Sequence, residues 1–186
     1  MKKHLTLSNI IFAVFIVALI IPQTRIALQV ALNKVKVFVM SPSELSEEDQ
    51  LQLQPFQYQL TTLDGTAINI NVGDDKVTFI SYWATWCPPC IAEMPSIVQL
   101  HEDYGTRVNF LLLTNEKPEK VKSFLSKKGY SLPIYRPAMN SPKELQLRSI
   151  PTNYIIDKTG KIIIKEIGAA NWNSNKIRQI LDENLQ

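Results

Sequence analysis

The chain has 186 residues, of which 45% are hydrophobic and 20% are charged, and its net charge is +3. Residues 1–40 carry +5 and no acid, so the remaining 15 basic and 17 acidic residues leave the rest of the chain at −2. These numbers argue against a nucleic-acid-binding surface, and they fit one globular domain with a separate amino-terminal segment.

The first segment, residues 1–21, predicts a membrane anchor. Lys2 and Lys3 precede an uncharged run from Leu5 to Ile21, at the short end of the roughly 20 residues that a transmembrane helix needs. A cleaved signal sequence has the same layout, but no small-residue cleavage pattern follows this run. We favour the uncleaved anchor. Basic residues on both sides of the run leave its orientation undecided by the positive-inside rule.

Residues 22–54 predict a juxtamembrane helix followed by a linker. The stretch 26–40 is largely apolar but contains Lys34 and Lys36, which fits an amphipathic helix at the membrane surface or a helix packed on the domain. Residues 41–54 are polar and acidic with no sustained apolar face, so we expect a linker or a short exposed helix. The domain is expected to begin near Pro55.

Residues 55–186 alternate between strand and helix patterns. The predicted elements are a hairpin at 56–70, a strand at 76–83, a helix at 90–104, a strand at 108–114, a helix at 118–128, a capped helix starting near Ser141, a hairpin at 152–168 and a helix at 173–184. This order predicts an α/β fold in which helices flank a central mixed β-sheet, with an added amino-terminal β-hairpin.

Both cysteines of the chain lie in WATWCPPCIAEMP, residues 83–95. A structural disulfide between Cys87 and Cys90 would close a very short loop, for which the entropic gain is smallest. A zinc site needs about four ligands, and the only histidines are His4 and His101. A strand precedes the motif and a helix follows it, so the helix N-terminus would stabilise a thiolate. We therefore favour a redox centre.

The stretches SYWATWCPPCIAEMP and SIPTNYIIDKTGKII, together with the LDG of the first hairpin, resemble the thioredoxin superfamily. Within it, residues 55–186 are similar to the TlpA/ResA-like membrane-anchored thiol-disulfide oxidoreductases. The resemblance implies a thioredoxin fold and a dithiol–disulfide cycle that needs no metal and no organic cofactor. It also implies a bacterial inner-membrane protein with its catalytic domain in the periplasm. Its partners would be disulfide-containing client proteins and a membrane thiol electron donor.

The resemblance assigns the catalytic roles to three residues. Cys87 matches the exposed attacking cysteine, and Cys90 matches the resolving one. Soluble relatives carry a buried aspartate where this chain has Ser81, whereas the TlpA/ResA-like group has a glutamate at the position of Glu93. Helical spacing places Glu93 on the same face as both cysteines, which supports a role in managing the Cys90 proton. The alternative is an exposed helix glutamate.

The resemblance also implies a substrate-binding surface with a cis-proline at Pro151. The residues expected to line this surface are Trp86, Pro88, Pro89, Ile150, Pro151 and Thr152.

Two alternatives to a general disulfide reductase stay open at this point. One is a dedicated reductase of apocytochrome c in cytochrome c maturation, which has the same chemistry. The other is a non-enzymatic binding module on a thioredoxin fold. The sequence does not give the reduction potential, so the direction of electron flow is implied by the resemblance alone.

Overall fold

The computed structural model describes residues 7–186, and the predictions that concern residues 1–6 lie outside it. In chain order the described elements are α1 (Leu7–Ile20), α2 (Pro22–Val39), β1 (Phe56–Thr62), β2 (Ala67–Val72), β3 (Thr78–Tyr82), α3 (Pro88–Tyr104), β4 (Asn109–Leu113), α4 (Pro118–Lys128), β5 (Ile134–Pro137), a short 3-10 helix (Lys143–Leu145), β6 (Thr152–Ile156), β7 (Ile162–Ile167) and α5 (Asn175–Leu185).

The seven strands form one mixed sheet in the order β2-β1-β5-β4-β3-β6-β7. The central strands β3, β4 and β5 are parallel, and all other neighbours are antiparallel. The amino-terminal hairpin turns at Gly65, whose φ of +91° suits glycine. The predicted mixed sheet, its flanking helices and the added hairpin are confirmed.

The sheet separates two apolar cores. One face packs against α3, α4 and α5 and contains Phe79, Met94 and Trp172. The opposite face contains Tyr58, Tyr154 and other side chains of the strands, together with Leu53 before β1 and Leu145 of the 3-10 helix. The central strand β3 is buried on both faces. Its parallel neighbour β4 is buried from Phe110 to Leu113, as expected for a continuous apolar run.

Two parts of the domain differ from the predicted elements. The short interior strand β5, which lies between β1 and β4, was not predicted, because IYRP has neither length nor alternation to mark it. The predicted capped helix near Ser141 is only a one-turn 3-10 helix without a side-chain cap. The Ser141 hydroxyl bonds instead to the hydroxyls of Tyr58 and Tyr82, at 2.7 and 2.8 Å.

Helices α1 and α2 precede the domain. Within residues 7–186, no helix combines the length and the apolarity needed to cross a bilayer. Helix α2 packs along α3 with a half-buried stripe formed by Ile26, Val30, Asn33 and Val37. The carbonyl of Met40, just after α2, accepts a 2.8 Å hydrogen bond from the main chain of Asn171.

The segment predicted as a linker, residues 41–54, lies beside β7 and contains a turn at residues 47–49. Its main-chain N–H groups at Leu45 and Leu53 donate to the carbonyls of Ile163 and Gly160, at 2.9 and 2.8 Å. Leu53 is buried in the second core. Gly160 has no room for a side chain because the carbonyl of Leu53 lies directly beside its Cα. This segment is therefore attached to the domain over most of its length.

Candidate active site

The redox turn, residues 87–90, connects β3 to α3. Cys87 is the N-cap residue of α3, and Pro88 and Pro89 fill the first helical positions, where a missing N–H is tolerated. Cys87 and Cys90 form a disulfide with their Cα atoms 5.3 Å apart. The Cys87 sulfur accepts a hydrogen bond from the main-chain N–H of Cys90 at 3.3 Å. This contact would stabilise a Cys87 thiolate after reduction.

The expected exposure of Cys87 is not seen in this oxidised state. Cys87 is 3% exposed and Cys90 is 1% exposed, because the disulfide holds both sulfurs against the first turn of the helix. The neighbouring Trp86 is 59% exposed. The indole is thus the part of the motif that solvent reaches most readily.

Glu93 lies one helical turn after Cys90 and is buried, with 1% of its surface exposed. Its carboxyl group accepts three hydrogen bonds, all from uncharged N–H donors. Asn153 Nδ2 donates to Oε1 at 3.1 Å, while Ala170 N and Trp172 Nε1 donate to Oε2 at 3.2 and 3.1 Å. Glu93 is therefore not an exposed helix residue.

Burial raises the pKa of Glu93 to about 8, because desolvation disfavours the carboxylate more than the three hydrogen bonds stabilise it. The negative charge of Glu166 raises the pKa of Glu93 further. At pH 7 the group is mostly protonated, and it ionises just above neutrality. A carboxyl group with this pKa is well matched to a thiol, whose ordinary pKa is about 8.5.

A row of polar residues crosses the sheet on the face that α3 covers. Asn153 on β6 pairs with Ser81 on β3 and with Glu166 on β7. Directly opposite residues in antiparallel strands project to the same face. Ser81 and Asn153 are both fully buried. The buried carboxyl group of this site thus comes from the helix, through Glu93, whereas β3 and β6 contribute the uncharged groups of Ser81 and Asn153 beneath it.

The segment after β7 ties several parts of the site together. The main-chain N–H of Gly168 donates to the carbonyl of Pro151 at 2.9 Å, and that of Asn171 donates to Met40. Two further donors from the same segment hold Glu93. The proline loop, the buried carboxyl group and the end of α2 are therefore positioned by one stretch of main chain.

The Ile150–Pro151 peptide bond is cis, as predicted. Thr152, the next residue, opens β6 and is 1% exposed. Its hydroxyl donates to the carbonyl of Ser149 at 2.7 Å. The Thr152 side chain is therefore occupied within the chain, and the residue is paired with Tyr82 on β3 and with Ile167 on β7.

A cavity of about 840 Å³ opens beside the redox turn. Its apolar wall includes Trp86, Leu147 and Ile150, and its polar wall includes Tyr82 and Glu116. Of the six residues predicted to bind substrate, Trp86 and Ile150 line this cavity. Two of the other residues, Pro88 and Pro89, are half-buried at the start of α3.

Sequence reasoning missed Glu116, which holds the loop before the redox turn. Its carboxylate accepts hydrogen bonds from the main-chain N–H of Thr85 at 2.5 Å and from the Thr85 hydroxyl at 2.9 Å. Lys120 forms an ion pair with it at 2.5 Å. Thr85 and Glu116 follow β3 and β4, whose carboxyl ends meet at one edge of the sheet because the strands are parallel. That adjacency was the available signal.

The donors around Glu93 were also missed. Asn153, Ala170 and Trp172 lie 60, 77 and 79 positions along the chain from Glu93. Neither periodicity nor motif spacing connects positions so far apart. Only the pairing of the strands brings them together.

Comparison with known proteins places the chain in a family. The family model described as Redoxin matches residues 47–181, which is most of the chain. The chain belongs to the Redoxin family. The thioredoxin-like protein YneN of Bacillus subtilis is 30% identical to this Redoxin chain over 131 residues, which cover 67% of the chain and 75% of YneN.

Further relatives agree with this assignment. The thiol-disulfide oxidoreductase ResA of Bacillus thuringiensis is 25% identical over 152 residues, covering 77% of this chain and 86% of ResA. The crystal structure of StoA from Bacillus subtilis is similar with a TM-score of 0.53 and 22% identity, over 69% of this chain and 96% of StoA, which supports the fold. This Redoxin family member is a ResA-like thiol-disulfide oxidoreductase of the thioredoxin superfamily, which confirms the predicted family and enzyme class.

Proposed function

We propose that this Redoxin protein reduces disulfides of extracytoplasmic proteins through a Cys87–Cys90 dithiol cycle in which Glu93 exchanges the proton of Cys90. The observation that carries this proposal is the buried carboxyl group of Glu93, one turn after Cys90, with a pKa of about 8. A purely structural disulfide would have no use for a buried group that titrates close to the pKa of a thiol.

The first step is attack of the Cys87 thiolate on a client disulfide. A bond forms between the Cys87 sulfur and one client sulfur, and the other client sulfur leaves as a thiolate. Contacts near the redox turn support Cys87 as the attacking group, since it is the N-cap residue and its sulfur accepts from the N–H of Cys90. The exposed Trp86 and the side chain of Ile150 would contact the client beside this bond.

The second step is resolution by Cys90. Glu93, as the carboxylate, accepts the proton of the Cys90 thiol, and the Cys90 thiolate attacks the sulfur of Cys87. The second client sulfur leaves, and the Cys87–Cys90 disulfide forms. Two electrons have then moved from the dithiol to the client. A membrane thiol carrier would reduce the disulfide again and so complete the cycle.

Residues 1–21 would hold the enzyme in the bacterial inner membrane with the catalytic domain in the periplasm. Support comes from the apolar sequence of α1 and from a second apolar stripe on α2, opposite its contact with α3. This outer stripe consists of Leu28, Leu32, Val35 and Val39, which are 42% to 73% exposed. Such a continuous exposed apolar surface is typical of an interaction site.

Client trapping tests the assignment of the two cysteines. With Cys90→Ser, the mixed disulfide at Cys87 cannot be resolved, so clients should accumulate as adducts on non-reducing gels and be identified by mass spectrometry. Cys87→Ser is the matched control and should trap none. Adducts with Cys87→Ser but not with Cys90→Ser would reverse the roles.

Two further measurements test the direction of electron flow and the anchor. A reductase should have a reduction potential of about −270 mV, the value of thioredoxin. A potential of about −120 mV, the value of DsbA, would indicate an oxidant. An anchored chain should sediment with membranes and resist carbonate extraction. A mature amino terminus after Ile21 would show that the first segment is cleaved. Failure to reduce insulin disulfides would favour the non-enzymatic binding module.

A further inference from the structure

The hydrogen bonds of Glu93 are distributed unequally between its two oxygens. Oε2 accepts from Ala170 N and Trp172 Nε1, whereas Oε1 accepts, within the described residues, only from Asn153 Nδ2. A main-chain N–H and an indole N–H donate and cannot accept. When Glu93 is protonated, the proton therefore belongs on Oε1, the oxygen that faces Asn153.

This placement creates a conflict in the neutral state. An O–H on Oε1 would point at the Nδ2 group of Asn153, so two donors would meet in a place that is buried from bulk solvent. Asn153 is fully buried, and its own acceptor Oδ1 has no hydrogen-bond partner among residues 7–186. A half-turn of the side-chain amide resolves both defects, because it brings Oδ1 to the O–H.

The neighbouring strand offers a partner for the turned amide. Ser81 is paired directly with Asn153, and its hydroxyl also has no partner within the part of the chain that the structure describes. A serine hydroxyl can accept as well as donate. The site therefore holds unused hydrogen-bonding capacity beside Asn153, on the neighbouring strand.

We propose that Asn153 is a positioning residue whose side-chain amide turns over with the proton of Glu93, donating through Nδ2 to the carboxylate and accepting through Oδ1 from the neutral acid. The proposal rests on the proposed role of Glu93 in resolution. It gives that role a mechanism, because a base must be stabilised in both of its protonation states to release a proton as easily as it takes one.

Other charged groups near Glu93 influence its pKa, but they do not take over the hydrogen bond that Asn153 makes to it. Glu166 lies opposite Asn153 on β7, and its charge disfavours ionisation of Glu93. Lys36 of α2 approaches Gly168 and lowers the pKa of Glu166, although burial is the larger influence there and raises it. On α3 itself, Cys90 is the titratable neighbour.

Nuclear magnetic resonance of the full-length chain tests the turnover directly. The side-chain NH₂ resonances of Asn153 should shift during a pH titration with the same midpoint as the Glu93 carboxyl carbon, near pH 8. In Glu93→Gln, the side-chain NH₂ takes the place of the O–H and needs an acceptor. The Asn153 resonances of this variant should stay at the low-pH limit of the wild type at every pH.

Two isosteric substitutions test the consequence for the reaction. Asn153→Thr places a hydroxyl that can donate or accept beside Glu93, whereas Asn153→Val has the same shape without it. We expect resolution of a preformed mixed disulfide to be slower in the valine variant than in the threonine variant by about 3-fold or more, with a higher midpoint in its pH profile.

Defined outcomes would overturn the proposal. Turnover is excluded if the Asn153 side-chain resonances do not shift during the Glu93 titration. It is also excluded if the Asn153 resonances of Glu93→Gln lie at the high-pH limit of the wild type. Equal rates and midpoints for the two isosteric variants would reduce Asn153 to a space-filling residue. If the valine variant does not fold, the resonance titration of the wild type decides alone. A failure of the proposed function looks different, since Glu93→Gln would then resolve mixed disulfides at the wild-type rate.

Discussion

Two glutamates lie close to the redox turn, and the protein treats them in opposite ways. Glu116 is reached by a cation, Lys120, and by two donors of Thr85; these contacts outweigh its desolvation, so its pKa is lowered. Glu93 has three hydrogen bonds as well, but no cation among residues 7–186 contacts it and it is almost completely buried, so its pKa is raised to about 8. The number of hydrogen bonds is therefore not what decides the charge.

The contrast teaches which of the two carboxyl groups can do chemistry. A carboxylate that is ionised throughout the physiological range, as Glu116 is, can hold a loop but cannot exchange protons. A carboxyl group that ionises near neutrality can do both. The ion pair with Lys120 thus keeps Glu116 ionised, which suits a structural role. The burial of Glu93, a chemically identical side chain, raises its pKa into the range that proton exchange requires.

The largest expected effect is on the pH dependence of stability. Because the pKa of Glu93 rises on folding from about 4.5 to about 8, its protonation stabilises the fold fully below about pH 4.5 and is lost as the pH rises through about 8. Glu93→Gln removes this dependence. The difference in unfolding free energy between wild type and variant should therefore change by about 3 kcal/mol between about pH 5 and pH 8, as measured by denaturant titration.

Glu116→Gln is the control for this measurement. Its lowered pKa places the corresponding change on the acid side, because stability from Glu116 is present above its unfolded pKa and is lost as the pH falls through the folded value. The stability difference between this variant and the wild type should be flat above about pH 5. A slope there equal to that of Glu93→Gln would end the distinction between the two glutamates.

The next largest effect is on the rate of resolution. Glu93→Gln should slow the release of thionitrobenzoate from a preformed mixed disulfide at Cys87 by about 10-fold or more, since the Cys90 thiol loses its base. Glu116→Gln should stay within about 2-fold of the wild type, because Glu116 contacts the loop before the redox turn and holds no mobile proton.

Alkylation of Cys87 separates loss of the base from loss of the fold. Removing the negative charge of Glu93 cannot disfavour a nearby thiolate, so Cys87 should alkylate at least as fast in Glu93→Gln as in the wild type, with the largest gain above pH 8, where Glu93 is ionised. Slower alkylation together with slower resolution would indicate a distorted site.

The smallest expected effect concerns Glu116 and the stability of its loop. Glu116→Gln should cost about 1 kcal/mol at neutral pH, because Thr85 keeps an amide acceptor but loses a charged one. Lys120→Met leaves the Thr85 contacts intact and should cost less, since Lys120 is half exposed and its ion pair is screened by solvent. A larger loss for Lys120→Met would show that the ion pair, and not Thr85, holds the loop.

The sequence was informative where structure is local. The Cys-Pro-Pro-Cys turn at a helix start, the alternation of the hairpins and the largely apolar β4 each depend on neighbouring residues, so local sequence patterns predicted them. The cis bond before Pro151 was predicted through the family resemblance, and the structure contains it.

Sequence patterns did not predict the contacts that depend on strand pairing. Asn153 looks like an ordinary polar strand residue until β6 is placed between β3 and β7, which brings it under Glu93. The donors Ala170 and Trp172 lie in a loop whose course no periodicity predicts. The same holds for residues 41–54, whose polar composition gives no sign of their hydrogen bonds along β7.

The attachment of that segment has a consequence for how far the active site can travel. A flexible tether of about 14 residues would let its domain explore roughly 20 Å around an anchor point. Here the main chain is bound at Met40, Leu45 and Leu53, and α2, about 27 Å long, lies along α3. If residues 1–21 are embedded in a bilayer, Cys87 is held at a constant distance from the start of α2, just outside it. Encounters with clients would then depend on lateral diffusion within the membrane plane and on the orientation of the client. Residues 41–54 would not act as a flexible linker.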